Sequence, residues 1–183
     1  RLVYEAPEAA NLLKRKVTDA CVEYVRMQCA AGADLLQIFD SWAGLCPADL
    51  YRDWCIEPIR QIREACDLPL ILFSRGAGQR LAEQAATKAE GLAIDWSTSF
   101  KLARETVGRS IALQGNLDPL LLQTTPDLVR SAVSRLLTET DSDPGHILNC
   151  GHGVTPETKI ECVEALLEAV SASMPTSVDY DND

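Results

Sequence analysis

The sequence predicts an α/β fold in which helices alternate with the strands of one parallel sheet. Five short apolar segments alternate with longer segments whose apolar residues recur at helical spacing. The short segments are apolar along their whole length, which is typical of strands buried on both faces. Each of them ends in small or polar residues. Strict alternation implies right-handed βαβ units, but it does not distinguish an open five-stranded sheet from part of a closed barrel.

The opening of the chain predicts a long helix and the first strand. Pro7 suits the first turn of a helix that runs to about Ala31, and Gly32 suits its end. The first strand covers residues 35–39. Small and polar residues follow it at once: Asp40, Ser41 and Gly44.

The second helix begins at Pro47 and leads to the second strand. A kink or a break is expected at Pro58, because proline lacks the amide hydrogen that the helix ladder uses. The strand covers residues 70–73. It ends in the glycine-rich segment 74–78, which matches neither a dinucleotide fingerprint nor a phosphate-binding loop.

The third and fourth strands follow in the same pattern. A helix over about residues 79–88 leads to the strand 92–94, which ends at Asp95. Three hydroxyl residues are candidate N-caps for the next helix, which ends near Gly108: Ser97, Thr98 and Ser99. The fourth strand covers residues 111–113. It ends in Gln114, Gly115 and Asn116.

The last helix–strand units complete the predicted domain, which covers residues 1–174. A helix from Thr125 to about Glu139 leads to the fifth strand, 146–149, which ends in residues 150–153. Thr158 and Glu161 predict a capping box for a last helix over about residues 159–171. Residues 175–183 form an acidic tail that is expected to be disordered.

Composition and charge exclude several classes of partner. The net charge of −10 over 183 residues argues against nucleic acid or an anionic membrane surface. No apolar run is long enough to cross a bilayer. The seven cysteines are odd in number and form no C-x-x-C pair. We therefore expect no disulfide framework, a reducing compartment, and cysteines that serve as small core residues. The chain begins at Arg1 rather than Met, so its start is expected to be missing.

The strand ends supply the candidate binding residues. Ser41 is either a ligand contact or a turn hydroxyl, and Arg75 is either a clamp for a carboxylate or a solvated surface arginine. Asp95 offers an acid beside Trp96, although a carboxylate there commonly caps the next helix or pairs with a neighbouring strand end. Gln114 offers neutral hydrogen bonds.

The two histidines are expected to differ in role. His146 lies at a strand start, which is the end of a barrel strand that serves stability. His152 lies between two glycines beyond the carboxyl end of the last strand, where an imidazole can face a ligand. Cys150 is its neighbour, but no second cluster has the spacing of zinc ligands. No metal site is predicted.

Five segments together resemble the uroporphyrinogen decarboxylase family. Their order and intervals match, and the resemblance covers nearly the whole chain except the tail. The segments are 37–44 (QIFDSWAG), 72–76 (LFSRG), 91–96 (GLAIDW), 113–119 (LQGNLDP) and 149–153 (NCGHG).

The resemblance implies a TIM (β/α)8 barrel of which this chain supplies roughly the last five strand–helix units. The family's catalytic aspartate, substrate-binding arginines and active-site tyrosine would then precede Arg1, so no residue here takes those roles. Ser41 and His152 match family residues that contact substrate. Arg75 stands where the family commonly has lysine, which keeps the charge and changes the geometry.

The resemblance also implies an activity. Such an enzyme is a carboxy-lyase that needs no cofactor or metal and removes the four acetate carboxyl groups of uroporphyrinogen III, giving coproporphyrinogen III in tetrapyrrole (heme and chlorophyll) biosynthesis. It would be a homodimer when full length, in the cytoplasm or in plastids.

Two alternatives remain open. One is a zinc-dependent cobamide-thiol methyltransferase of the same superfamily, although no His-x-Cys follows the second strand here. The other is an inactive truncated barrel. We further expect the chain alone to be inactive, with Ile71, Phe73, Ile94 and Ile111 partly exposed on strands that lack neighbours.

Overall fold

The computed structural model describes residues 1–140 and 143–173. Its centre is a parallel sheet in which the five strands lie in sequence order, each paired with the next. The strands are β1 (Leu36–Asp40), β2 (Leu70–Ser74), β3 (Gly91–Ala93), β4 (Ala112–Leu117) and β5 (His146–Cys150). This arrangement confirms the predicted α/β class, and it fits part of a TIM barrel.

Helices connect the strands throughout, as the alternation predicts. They are α1 (Leu2–Glu5), α2 (Pro7–Ala30), α3 (Ala48–Tyr51), α4 (Glu57–Arg63), α5 (Leu81–Ala85), α6 (Phe100–Val107), α7 (Pro126–Glu139) and α8 (Ile160–Ser173), with short 3₁₀ turns at Ala43–Leu45, Gly78–Arg80 and Pro119–Gln123. Of the three predicted N-caps of α6, Ser99 is the cap, and its hydroxyl accepts from the Leu102 amide. Two hydrophobic layers join this sheet to its helices. Leu72, Leu92 and Leu113 pack against Phe100, and Leu117 packs with residues of α7 and α8.

The expected break at Pro58 takes a different form. The helix continues to Arg63, and the irregularity is a π-helical turn at Arg52–Ile56, directly before the proline. The N–H of Glu57 donates to the carbonyl of Arg52, five residues back. Pro58 cannot donate a backbone hydrogen bond, and the wider turn lets the helix continue past it.

Two local predictions in the second half of the chain are wrong. β4 is not limited to residues 111–113 but continues through Gln114, Gly115 and Asn116, with a cis peptide bond between the last two. Gly115 has φ +131, and a Cβ there would lie 2.5 Å from the carbonyl oxygen of Ile94. The strand therefore continues through a glycine because the neighbouring strand end lies too close for a side chain. The capping box is not formed, since the Thr158 hydroxyl is buried without a hydrogen-bond partner.

The described residues contain one disulfide, where the cysteine pattern led us to expect no disulfide framework. Cys29, near the end of α2, is bonded to Cys66 in the loop before β2. The two cysteines are 37 residues apart in sequence, so their spacing gives no signal. They meet because both flank an apolar cluster at the amino-terminal edge of the sheet, around Val25, Leu36 and Ile62.

The predicted exposure of the inner strand face is largely wrong. Ile71, Phe73 and Ile94 are buried even in these five strands. Exposure instead falls on the two edge strands, where Phe39 of β1 is 67% exposed and Ile147 of β5 is 41% exposed. Partly uncovered apolar surface is thus a property of the outermost strands.

Within the described residues, no helix combines the length and apolarity that a membrane span requires. The prediction of one domain over residues 1–174 remains a prediction. The tail predicted for residues 175–183 lies outside the described residues.

Candidate functional site

A cavity of about 370 Å³ lies at the carboxyl ends of the strands. It contains both Ser41 and His152, so these two residues lie together as the sequence predicts. Strand-end and strand-face residues line it: Gln37, Phe39, Ser41, Phe73, Ala93, Gln114, Asn149, Cys150, His152 and Gly153.

The sheet register explains why these residues meet. Phe39 pairs with Phe73 and Phe73 with Ala93 across the first three strands. Ala93 pairs in turn with Gln114. Residues at matched positions of parallel strands point to the same face. Phe39, Phe73 and Ala93 therefore form an apolar wall of the cavity. The side-chain amide of Gln114 lies at the end of that wall.

Aromatic edges hold the ring of His152. Its centroid lies 5.9 Å from that of Phe73 and 6.3 Å from that of Trp96, both in edge-to-face geometry. The preceding Gly151 packs on the end of β3, where an added Cβ would lie 2.4 Å from the Trp96 nitrogen. The glycine thus permits contact between two strand ends. Gly153 has open space around it.

Asp40 turns away from the cavity toward the helices. Burial raises the pKa of its carboxyl group, while hydrogen bonds from the Trp42 backbone, the Cys55 side chain and the Ala43 backbone oppose that rise. These contacts shape the turn that carries Ser41. Nearby, burial raises the pKa of Tyr51 to about 12, so this phenol stays neutral inside the protein.

Arg75 borders a second cavity, of about 300 Å³, rather than the first. Ser41 lines both cavities, so the two are adjacent. The guanidinium carbon of Arg75 lies 6.0 Å from the ring centroid of Trp42. Arg75 thus lines a cavity, and its role as a clamp for a carboxylate stays a prediction.

Asp95 is not a free acid beside Trp96 but bonds to a neighbouring strand end, which was the alternative that the sequence left open. Its carboxylate accepts hydrogen bonds from the Gly76 amide at the end of the neighbouring strand and from the amide and hydroxyl of Ser97. It is buried. These donors satisfy both oxygens, so Asp95 is not an available acid in this site.

His146 is structural, as predicted. Its Nε2 lies 2.8 Å from the carbonyl oxygen of Gly115, and its ring packs edge-to-face on Phe100. Burial lowers its pKa, the hydrogen bond to Gly115 opposes this, and the ring is held as a neutral imidazole.

Sequence reasoning missed two polar residues of the cavity, Gln37 and Asn149. Gln37 interrupts an otherwise apolar strand, and its Oε1 lies 3.5 Å from Nε2 of Gln114 across the sheet. A lone amide inside a buried strand was the available signal. Cys150 also lines the cavity, where burial raises the pKa of its thiol and keeps it neutral. The described residues contain no group of three or more potential metal ligands.

Comparison with known proteins gives consistent results. The family model described as "Uroporphyrinogen decarboxylase (URO-D)" matches residues 1–173. A uroporphyrinogen decarboxylase of Alkalilimnicola ehrlichii is 40% identical over 181 residues, which cover 95% of this chain and 50% of that protein. One of Syntrophotalea carbinolica is 41% identical over 174 residues, covering 93% and 50%. The chain spans about half the length of the curated relatives it matches.

A solved structure shows the same fold. A methyltransferase from Methanosarcina mazei superposes with a TM-score of 0.75 at 25% sequence identity. The match covers 85% of this chain and 47% of that one.

Proposed function

The chain belongs to the uroporphyrinogen decarboxylase family, and on that premise we propose that it forms the carboxyl-terminal part of an enzyme that decarboxylates the acetate arms of uroporphyrinogen. The observation that carries this proposal is the cavity shared by Ser41 and His152. The complete enzyme would contain these residues together with the strands that close the barrel, and we call it the parent barrel. The domain would be single, covering residues 1–174.

The lining of the cavity suits an anionic tetrapyrrole. Phe39 and Phe73 offer apolar surface to the macrocycle. The hydroxyl of Ser41 and the imidazole of His152 can donate hydrogen bonds to carboxylates, which are worth about 1.5–3 kcal/mol each when one partner is charged. The side chains at this edge thus orient a carboxylate arm for reaction.

The proposed chemistry needs no cofactor or metal. Protonation of a pyrrole carbon beside the acetate-bearing carbon makes the ring cationic. The electron pair of the breaking C–C bond then flows into that ring as CO₂ leaves. Protonation of the exocyclic carbon and loss of the ring proton give a methyl group, so each carboxylate lost takes up one proton.

The chain alone is proposed to be inactive. β1 and β5 each pair on one side only among the described strands, and unpaired edges favour association over a defined fold. The catalytic carboxylate that the family resemblance implies would come from the rest of the parent barrel. The rest of the parent barrel would bury the apolar surface of β1 and β5, which contributes about 25 cal/mol of stability for each Å².

One experiment tests these proposals together. The parent barrel and residues 1–183 alone are assayed for conversion of uroporphyrinogen to coproporphyrinogen, and both are melted. We expect turnover and a cooperative melt for the parent barrel only. Parent-like turnover by the chain alone would refute its inactivity. Absence of turnover by a folded parent barrel would refute the function and favour an inactive barrel.

A methyltransferase is the second candidate, favoured by the Methanosarcina mazei structure and by Cys150 beside His152 in the cavity. Metal analysis of the purified parent barrel separates the two. Stoichiometric zinc that is lost in Cys150→Ser would favour the methyltransferase. A homodimer and a location in cytoplasm or plastid stay predictions of the family resemblance.

A further inference from the structure

The second cavity has the features of a separate binding compartment. Two loops form it, one after β1 and one after β2. Its lining residues are Ser41, Trp42, Gly44, Leu45, Arg75 and Gly76. Because Ser41 also lines the first cavity, a molecule bound in the first can extend an arm into the second.

Arg75 brings an unneutralised charge to this compartment. Arg63, Arg80, Arg104 and Arg130 all contact carboxylates. In the part of the chain that the structure describes, Arg75 has no carboxylate within 4.0 Å and no side-chain hydrogen bond, and its guanidinium carbon lies 6.0 Å from the centroid of the Trp42 ring. A partly buried guanidinium in a protein of net charge −10 is an available site for an anion.

Backbone contacts fix the floor of the compartment. The Gly44 amide donates to the carbonyl of Arg75 at 2.9 Å. A Cβ on Gly44 would lie 2.6 Å from the carbonyl oxygen of Gly76. The two loops are therefore in direct backbone contact, and the position of the Arg75 main chain is set by both.

We propose that this compartment binds a carboxylate that the substrate keeps, rather than one that leaves as CO₂. The inference rests on the proposed function and specifies how its substrate is divided between two cavities. An ion pair to a reacting carboxylate would be lost when that group becomes neutral CO₂. Such a contact stabilises the ground state more than the transition state and slows the reaction.

The first cavity, in contrast, suits the arm that reacts. Its lining includes no guanidinium or ammonium group, and its polar side chains are those of Gln37, Ser41, Gln114, Asn149, Cys150 and His152. Hydrogen bonds from amide and hydroxyl groups lack the net charge of a guanidinium, so they favour the ionised carboxylate over neutral CO₂ less strongly. Arg75 can hold a retained carboxylate unchanged while successive arms lose theirs, so its binding energy is available at every step.

Arg75→Met in the parent barrel tests the proposal, with Arg75→Lys as the charge-keeping variant and Arg135→Met as the control. Arg135 is exposed on α7, so its substitution removes the same charge elsewhere. The readouts are kcat and KM for uroporphyrinogen and the Kd of coproporphyrinogen, which retains the carboxylates in question. Melting curves check folding, and Arg75→Lys provides a second variant.

If Arg75 binds a carboxylate that the substrate keeps, its substitution should weaken the binding of substrate and of product equally. We expect Arg75→Met to raise KM and the product Kd by the same factor, about 10-fold or more, with kcat within about 2-fold. Arg75→Lys should recover part of both. A raised KM with an unchanged product Kd would assign Arg75 to a reacting arm and overturn the proposal, as would no change in either constant.

Failure of the proposed function gives a different result. If the unsubstituted parent barrel does not turn over uroporphyrinogen, the product Kd still reports on the compartment. A Kd that rises in Arg75→Met and not in Arg135→Met then supports the anion site without the reaction. No product binding by any of the proteins overturns both.

Discussion

Two pairs of basic side chains, one at the amino-terminal edge of the sheet and one at the carboxyl-terminal edge, differ in whether the protein supplies their partners. At the amino-terminal edge, Arg63 contacts Glu90, and Nε of Arg104 lies 2.7 Å from Oδ2 of Asp143, close enough for an ion pair although not aligned as a hydrogen bond. At the carboxyl-terminal edge, Arg75 and His152 have no side-chain hydrogen bond or ion pair among the described residues.

The difference shows how one fold divides stability from binding. A polar group that has its partner inside the protein contributes to folding and is not available to a ligand. A group held in position by aromatic edges or backbone, as His152 is, keeps its hydrogen bonds for water or substrate. Substitutions at the amino-terminal edge should therefore change the free energy of unfolding. Those at the carboxyl-terminal edge should change the kinetic constants for the substrate.

The largest expected effect is on stability, at Arg104. Its side chain is 13% exposed and that of Asp143 is 6% exposed, and its Nη1 also donates to the carbonyls of Gly108 and Ile111. Arg104→Met leaves a buried carboxylate unpaired, so the free energy of unfolding of the parent barrel should fall by about 3–5 kcal/mol in urea titrations. The exposed Arg109→Met is the control. Equal stability of the two variants would contradict the comparison.

The disulfide at the same edge gives the next effect. Cys29→Ser should lower the free energy of unfolding by about 2–4 kcal/mol, because the cross-link closes a long loop of the unfolded chain. Adding dithiothreitol should remove the difference between variant and parent. A difference that persists under reduction would show that packing, and not the cross-link, is responsible.

His152→Ala should show the reverse pattern at the carboxyl-terminal edge. Loss of a hydrogen bond to substrate should lower kcat/KM for uroporphyrinogen by a factor that corresponds to about 1–3 kcal/mol. The free energy of unfolding should change little, because the ring makes only edge contacts. His146→Ala is the matched control and should mainly lower stability. Unchanged kinetics in His152→Ala would remove this residue from the site.

The smallest effect is the pH dependence of the Glu90 ion pair. Burial raises the pKa of Glu90, but the Leu70 amide and Arg63 outweigh it and hold the pKa below 4.5. Ionised Glu90 therefore stabilises the folded state above pH 4.5, and this contribution disappears as pH falls through the lowered pKa. For a half-exposed pair, solvent screening limits it to about 0.5–1 kcal/mol. Urea titrations at pH 3 to 6 should show a weaker decline in Glu90→Gln, and parallel declines would contradict this role.

Regular periodicity made most of the architecture predictable. Pro7, Thr125 and Pro126 mark helix starts that the structure keeps, and the five strands appear in their predicted order. Polar residues after apolar strands located the edge where Ser41 and His152 meet. These features depend on residues close together in sequence, which is why sequence alone reveals them.

The features that sequence missed depend on contacts between distant segments. The Cys29–Cys66 bond joins residues that only the fold brings together. β4 continues through Gly115 because the Ile94 carbonyl occupies the space that a side chain would need, so the length of this strand depends on its neighbour. The choice between the two roles open to Asp95 depends on the Gly76 and Ser97 donors, which only the fold brings to its carboxylate.

The backbone contact between Gly44 and Gly76 has a consequence for protein engineering. With a Cβ at position 44 only 2.6 Å from the Gly76 oxygen, any larger residue must push one loop off the other. Libraries that randomise the loop after β1 alone would therefore distort the loop after β2 as well. Directed evolution of altered substrate preference should vary both loops together and leave Gly44 fixed, so that variants differ in side chains and keep the shared backbone geometry.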